Sequence, residues 1–92
     1  MLQLFCPKET HEGETRVALT PETAKRLVGL GVACTIESQA GRYAGFTDDD
    51  YRAAGATVAA DRNTALAAAD IVASVQALDN PAGIKQVLTV TA

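Results

Sequence analysis

The sequence predicts one small α/β domain, a parallel sheet with helices on its faces. Three observations lead there. Short apolar runs alternate with helix-start signals along the chain, the pattern of strands and helices taken in turn. The first run, Leu2 to Cys6, has Gln3 as its only polar residue, which suits a strand buried on both faces. The connections between runs are short, and short strand–helix–strand connections favour right-handed parallel crossovers.

The bulk properties fit that class. Ninety-two residues suffice for one modest core, and 48% apolar with 21% charged is ordinary for a globular domain. The formal net charge of −3 argues against a nucleic-acid binder, which would carry a basic stripe. The longest apolar runs fall short of a membrane span. The N-terminus lacks the basic start and apolar block of a secretory signal, so the expected location is the cytosol. Alanine is abundant, aromatics make up 4% and Trp is absent, so the core must be built from small and branched aliphatic side chains.

Taken in order, the strand Leu2 to Cys6 ends at Pro7, which has no backbone donor. The stretch Pro7 to Glu22 carries six charged residues: Lys8, Glu9, Glu12, Glu14, Arg16 and Glu22. It closes on Thr20-Pro21-Glu22, a helix start with Thr as N-cap, Pro at the first helical position and an acid in the first turn. Ala24, Leu27 and Val28 share one helical face, and Gly29 and Gly31 stop the helix, Gly31 as a left-handed cap. Val32 to Glu37 reads as the second strand. Ser38 to Phe46 is a glycine-containing loop, and Thr47 with Asp50 resembles a capping box. The short helix it starts runs through Tyr51 and Ala54 to Gly55. Thr57 to Ala59 is a brief third strand, Asp61 caps an alanine-rich helix over Arg62 to Ala69, and Ile71 to Val75 is a fourth strand. Asp79 to Gly83 is a turn, and Val87 to Val90 is a last strand. The order is β-α-β-α-β-α-β-turn-β, with no internal repeat and no linker. Residues 1–92 therefore read as a single domain.

A charged loop between a strand's end and a helix's start is where open α/β sheets place ligand chemistry. Arg16 is the leading candidate, since a guanidinium there can grip a carboxylate or phosphate through two parallel hydrogen bonds. Its structural alternative is an ion pair with Glu9, Glu12 or Glu14. Lys8 and Glu9, at the end of the first strand, either face a crevice or are solvated. His11, the only histidine, has no second ligand or nucleophile near it in sequence and reads as an exposed loop residue. The Ser38–Phe46 loop has no Gly-x-Gly-x-x-Gly fingerprint, and its glycines are expected to serve tight turns. The run Asp48-Asp49-Asp50 lacks calcium-loop spacing and is explained by capping. Ser74 and Gln76 alternate onto one face at the tip of the fourth strand. Cys6 and Cys34 lack metal-ligand spacing and are expected to be buried free thiols; a disulfide between neighbouring strands is disfavoured in the cytosol.

Several separated segments, taken together, resemble a known family. Pro7-Lys8-Glu9, Glu14-x-Arg16-Val17-Ala18-Leu19-Thr20-Pro21-Glu22, Glu37-Ser38-x-Ala40-Gly41, Ala44-Gly45-Phe46-x-Asp48 and Ala53-Ala54-Gly55-Ala56 are similar to the N-terminal domain shared by alanine dehydrogenases and the alpha subunit of proton-translocating nicotinamide nucleotide transhydrogenases. The resemblance covers roughly residues 1–76. It implies a flavodoxin-like (Rossmann-like) three-layer fold, incomplete at the C-terminal end of this chain. In the alanine dehydrogenase branch the strand matching Asp70 to Gln76 carries a Lys-Val-Lys pattern, whose second Lys contacts the keto acid beside the Arg matching Arg16. Here the two positions read Ser74 and Gln76. A neutral Gln cannot supply the positive charge that polarises a carbonyl, so the resemblance is better to the transhydrogenase alpha subunit. Ser38-Gln39-Ala40-Gly41 also departs from the family's usual Ser-Gly-Ala-Gly.

The resemblance implies a parent protein that transfers hydride between NAD(H) and NADP(H), coupled to proton movement across a membrane. Arg16, Gln76, Lys8 and Glu9 are then expected beside substrate or cofactor, with no catalytic residue and no metal in this chain. The implied partners are the remaining Rossmann domain of the alpha subunit, the transhydrogenase beta subunit and a second copy in a homodimer. Any contact with the inner membrane would run through partner subunits, leaving this domain cytoplasmic and peripheral. NAD and NADP are cofactors of the complete enzyme, and the isolated chain is expected to be inactive. The alternatives are a fragment of an alanine dehydrogenase, or a non-catalytic interaction module that dimerises through an exposed apolar sheet face.

Overall fold

The computed structural model describes residues 2–9 and 13–75, together with the backbone of Val87–Thr89. The strands are β1 (Gln3–Cys6), β2 (Ala33–Glu37), β3 (Thr57–Ala59), β4 (Ile71–Ser74) and β5 (Val87–Thr89), and the helices are α1 (Pro21–Gly29), α2 (Asp48–Ala53) and α3 (Arg62–Ala68). All the strand pairings are parallel, in the spatial order β3-β2-β1-β4-β5. The expected α/β class is what forms. The strand order is the Rossmann one rather than the flavodoxin one.

Alternation along the strands builds the two faces. Leu4 and Cys6 of β1 join Cys34 and Ile36 of β2 beneath Ala24 of α1 and Tyr51 of α2. Phe5, between them in sequence, points the other way, with Val72 and with Ala65 and Leu66 of α3. The helices thus lie on opposite faces, α1 and α2 on one and α3 on the other. Cys6 and Cys34 are buried free thiols, as expected.

The helix signals act as read. Thr20 Oγ1 accepts from the Thr23 N–H at 3.2 Å to cap α1, and Gly31 takes φ +91 just past its end. Thr47 and Asp50 form a reciprocal capping box at α2. Element edges differ by about one residue: Leu2, Val32 and Val75 lie just outside their strands, and α3 stops at Ala68. The anticipated turn at 79–83 lies outside the described residues.

The sheet order fixes the place of interest. From β1 the chain moves through α1 to β2 and through α2 to β3, then crosses back over α3 to β4 on the other side of β1. The direction of winding reverses between β1 and β4. In open α/β sheets such a switch point leaves a crevice at the carboxyl ends of the strands, where ligands bind.

Candidate functional site

The residues after β1 form one side of that crevice, and their backbone is held on both flanks. Pro7 is fully buried. The Lys8 N–H donates to Glu37 Oε1 at 2.7 Å, and the Lys8 carbonyl accepts from Arg62 Nη2 at 2.6 Å. Arg62 Nε also donates to Glu37 Oε1, at 2.9 Å. Glu37 is the last residue of β2 and Arg62 the first of α3, so three elements meet at one residue. On the other flank Glu9 Oε2 accepts from the Val75 N–H at 3.1 Å. That bond spans the switch point and ties β1 to the end of β4.

Further along, Gly13 takes φ +79, and the chain turns back towards α1. The Glu14 side chain is only 6% exposed and meets Arg16 fork to fork, accepting from Nε at 3.0 Å and from Nη2 at 2.9 Å. It also accepts the Arg16 backbone N–H at 2.9 Å. Of the carboxylates considered for Arg16, Glu14 is therefore the partner that the structure places beside it. These hydrogen bonds and the Glu14 charge raise the guanidinium's affinity for its proton. The Arg16 side chain is 46% exposed while Glu14 is covered, so the guanidinium reaches solvent from a shielded carboxylate.

The return into α1 is pinned from α2. The Leu19 carbonyl accepts from Tyr51 Oη at 2.6 Å, at a site where both residues are buried. Burial is the main cause that raises the Tyr51 phenol's pKa well above its usual value. Beside it, burial pushes the Cys6 thiol up to about 12. A thiol so held is neutral at physiological pH and is no nucleophile.

The loop after β2 is closed by Asp48, which accepts from Ser38 Oγ at 2.7 Å and from the Gln39 N–H at 2.9 Å. The Gln39 backbone bond, followed by Ser38 and the charge of Arg52, holds the Asp48 carboxyl below its ordinary range. Asp48, Asp49 and Asp50 are thus a loop clamp, an ion-pair partner of Arg52 and a cap. Among the described residues no group of three or more His, Cys, Asp or Glu is placed to hold a metal. A groove of about 620 Å³ runs between the start of α1 and α2, over Pro21, Phe46 and Ala53. It is not lined by Lys8, Glu9 or Arg16.

The sequence pattern placed Arg16, Lys8, Glu9 and Gln76 at this edge. The structure brings Lys8 and Glu9 together at the switch point and puts Arg16 on the same loop, engaged with Glu14. Gln76 and His11 lie outside the described residues. Ser74 is fully buried at the end of β4, on the α3 face with Val72. Two residues that hold this loop were not anticipated from the sequence, Glu37 and Arg62. One signal was available for Arg62: a cation in the first turn sits against the helix dipole, so its position calls for another explanation.

A Rossmann-ordered α/β domain, with a charged loop tied across its switch point, is the class these features define. The chain belongs to the alanine dehydrogenase/PNT N-terminal domain family, whose model matches residues 5–90. It is 48% identical over 75 residues to the first portion of NAD(P) transhydrogenase subunit alpha from Rhodospirillum rubrum, covering 82% of this chain and 20% of that one. Among solved structures it is similar to an L-alanine dehydrogenase, with a TM-score of 0.73 and 39% identity over 77% of this chain and 19% of that chain. It is also similar to a transhydrogenase from Sinorhizobium meliloti, with a TM-score of 0.72 and 32% identity over 78% and 21%. The chain therefore spans about a fifth of the length of these relatives.

Proposed function

We propose that this chain is the N-terminal portion of an NAD(P) transhydrogenase alpha subunit, forming a wall beside the nicotinamide nucleotide while another domain supplies the nucleotide pocket. The start of α1 carries this reading. In a dinucleotide-binding Rossmann unit the first strand–helix turn is glycine-rich and offers free backbone N–H groups to the pyrophosphate. Here Thr20 caps the helix with its own side chain, Pro21 has no N–H and Glu22 adds a negative charge. That helix start does not fit a pyrophosphate, and no Gly-x-Gly-x-x-Gly occurs in the chain.

In this reading the complete protein transfers hydride between NAD(H) and NADP(H), coupled to proton translocation. Its partners are the remaining Rossmann domain of the alpha subunit, a beta subunit and a second copy of the alpha subunit. No described helix is long and apolar enough to cross a membrane. The same reading makes the domain cytoplasmic and peripheral, with membrane contact running through its partners. Arg16, Lys8, Glu9 and Gln76 line the nucleotide side. With one N–H each of Nε and Nη2 of Arg16 on Glu14, an anion can still meet the outer edge of the guanidinium, through Nη1 and the second Nη2 proton.

The second reading is a fragment of an alanine dehydrogenase, favoured by the similarity to the L-alanine dehydrogenase structure. Against it, Ser74 and Gln76 stand in the sequence where that branch is expected to have its two lysines, so no Lys there joins Arg16 in holding a keto acid. Turnover by the full-length protein separates the two. Reduction of an NAD analogue by NADPH is the expected activity. NADH oxidation that depends on pyruvate and ammonium, and is abolished by Arg16→Ala, would establish the alanine dehydrogenase reading instead.

A further inference from the structure

We infer that the Glu37–Arg62 ion pair is the positioning device of the ligand edge, fixing the Lys8 peptide and, through it, the place of Lys8 and Glu9 at the switch point. This rests on the reading that the edge faces nucleotide or substrate in the complete protein.

The geometry is a closed ring from three elements. Glu37 Oε1 accepts from the Lys8 N–H, Arg62 Nη2 donates to the Lys8 carbonyl, and Arg62 Nε donates back to Glu37 Oε1. Both backbone groups of one loop residue are thus held by a single ion pair. The partners are far apart in sequence, 29 residues from Lys8 to Glu37 and 54 from Lys8 to Arg62. Their side chains are 18% and 30% exposed, so solvent screens this pair less than the surface pairs Arg26–Glu22 and Arg52–Asp49.

Helix stability does not account for Arg62. A cation at the first position of α3 lies against the positive end of the helix dipole, and the first turn of α3 holds no acid. The guanidinium fork does suit the ring, because its rigid, planar donors can serve a carboxylate and a carbonyl at once. The consequence reaches across the crevice. Glu9 follows Lys8 directly and its carboxylate holds the Val75 N–H, so a change at the Lys8 backbone is passed to the bond between Glu9 and the end of β4. The pair acts through Lys8 and Glu9, so Glu37 and Arg62 are positioning residues.

The test combines backbone amide exchange with turnover, both in the full-length protein, for Arg62→Gln, Arg62→Lys and the surface control Arg52→Gln. In R62Q the Lys8 and Val75 amides are expected to exchange at least tenfold faster, while Phe5 inside β1 stays within twofold. R62Q should lower kcat for hydride transfer about tenfold, assayed below its own Tm. R62K keeps the charge without the fork, and should recover part of kcat and part of the Lys8 protection; it carries the test if R62Q does not fold. R52Q should leave both readouts unchanged. Unaltered Lys8 protection in the Arg62 variants would overturn the inference. So would opened Lys8 and Val75 amides with kcat within twofold of the unsubstituted protein. Absence of hydride transfer in the unsubstituted protein would count against the proposed function, and the exchange rates would still decide whether the pair holds Lys8.

Discussion

Gln39 carries φ +70, the left-handed region that favours glycine, and is the only described non-glycine residue to do so. Left-handed backbone disfavours a residue with a Cβ by about 1–2 kcal/mol, partly offset by the greater chain entropy that glycine loses on folding. Gln39→Gly is therefore expected to stabilise the domain by about 0.5–1 kcal/mol, read as a rise in Tm. Gly41, two residues on, has the opposite character. Its φ is −91, which any residue adopts, but a Cβ there would come within 2.8 Å of the Tyr51 ring and 2.9 Å of Phe46 Cβ. Gly41→Ala should destabilise by about 1–3 kcal/mol through overpacking, measured by chemical denaturation. The sequence expectation that these glycines serve tight turns holds for Gly45, at φ +91. At Gly41 the reason is close approach, which no local pattern in the sequence carries.

Among the elements, α2 matters beyond its six residues. It buries Tyr51 against the sheet, stacks it edge-on to Phe46 and uses its hydroxyl to fasten the loop that leads into α1. Tyr51→Phe leaves the buried Leu19 carbonyl without that donor. The expected loss is about 1–2 kcal/mol, with faster amide exchange around Leu19 and little change in β4. The elements themselves were legible because their signals are local: Thr20-Pro21-Glu22, the Thr47–Asp50 box and the apolar runs each act over a few residues. The exposed ends were less so. Leu2 is apolar by type but 45% exposed, and β1 starts one residue later. The Arg16–Glu14 pair was foreseeable from two residues' separation. The Lys8–Glu37–Arg62 ring was not, because its members meet only after β1, β2 and α3 have packed.

At the scale of the whole molecule, the buried acids set the alkaline limit. The Cys6 thiol is pushed from 9.0 to about 12 by burial, and the Tyr51 phenol rises as well. A raised folded pKa means that the native state keeps the proton while the unfolded chain releases it. The stability from Cys6 is thus fully present below pH 9.0 and falls above it by about 1.4 kcal/mol per pH unit. Denaturation midpoints should be level to about pH 9 and then drop. Cys6→Ala should make the drop shallower, leaving the part that comes from Cys34, whose thiol burial also raises, and from Tyr51. The faces of the sheet also bear on association. Beside α3 the strands present Gln3, Ala33, Thr35 and Thr57, polar or small side chains with partial to full exposure. Among the described residues this is not the apolar face that the interaction-module alternative needs, and large exposed apolar side chains are limited to Leu2, Val28, Leu30 and Tyr43.

The central claim is that this domain walls a nucleotide site without containing the nucleotide pocket. Calorimetric titration of the 92-residue chain with NADH tests it most directly. The capped, acidic start of α1 leads to no saturable heat in the low-micromolar range; a low-micromolar Kd would show that the pocket lies within this chain and would contradict the account.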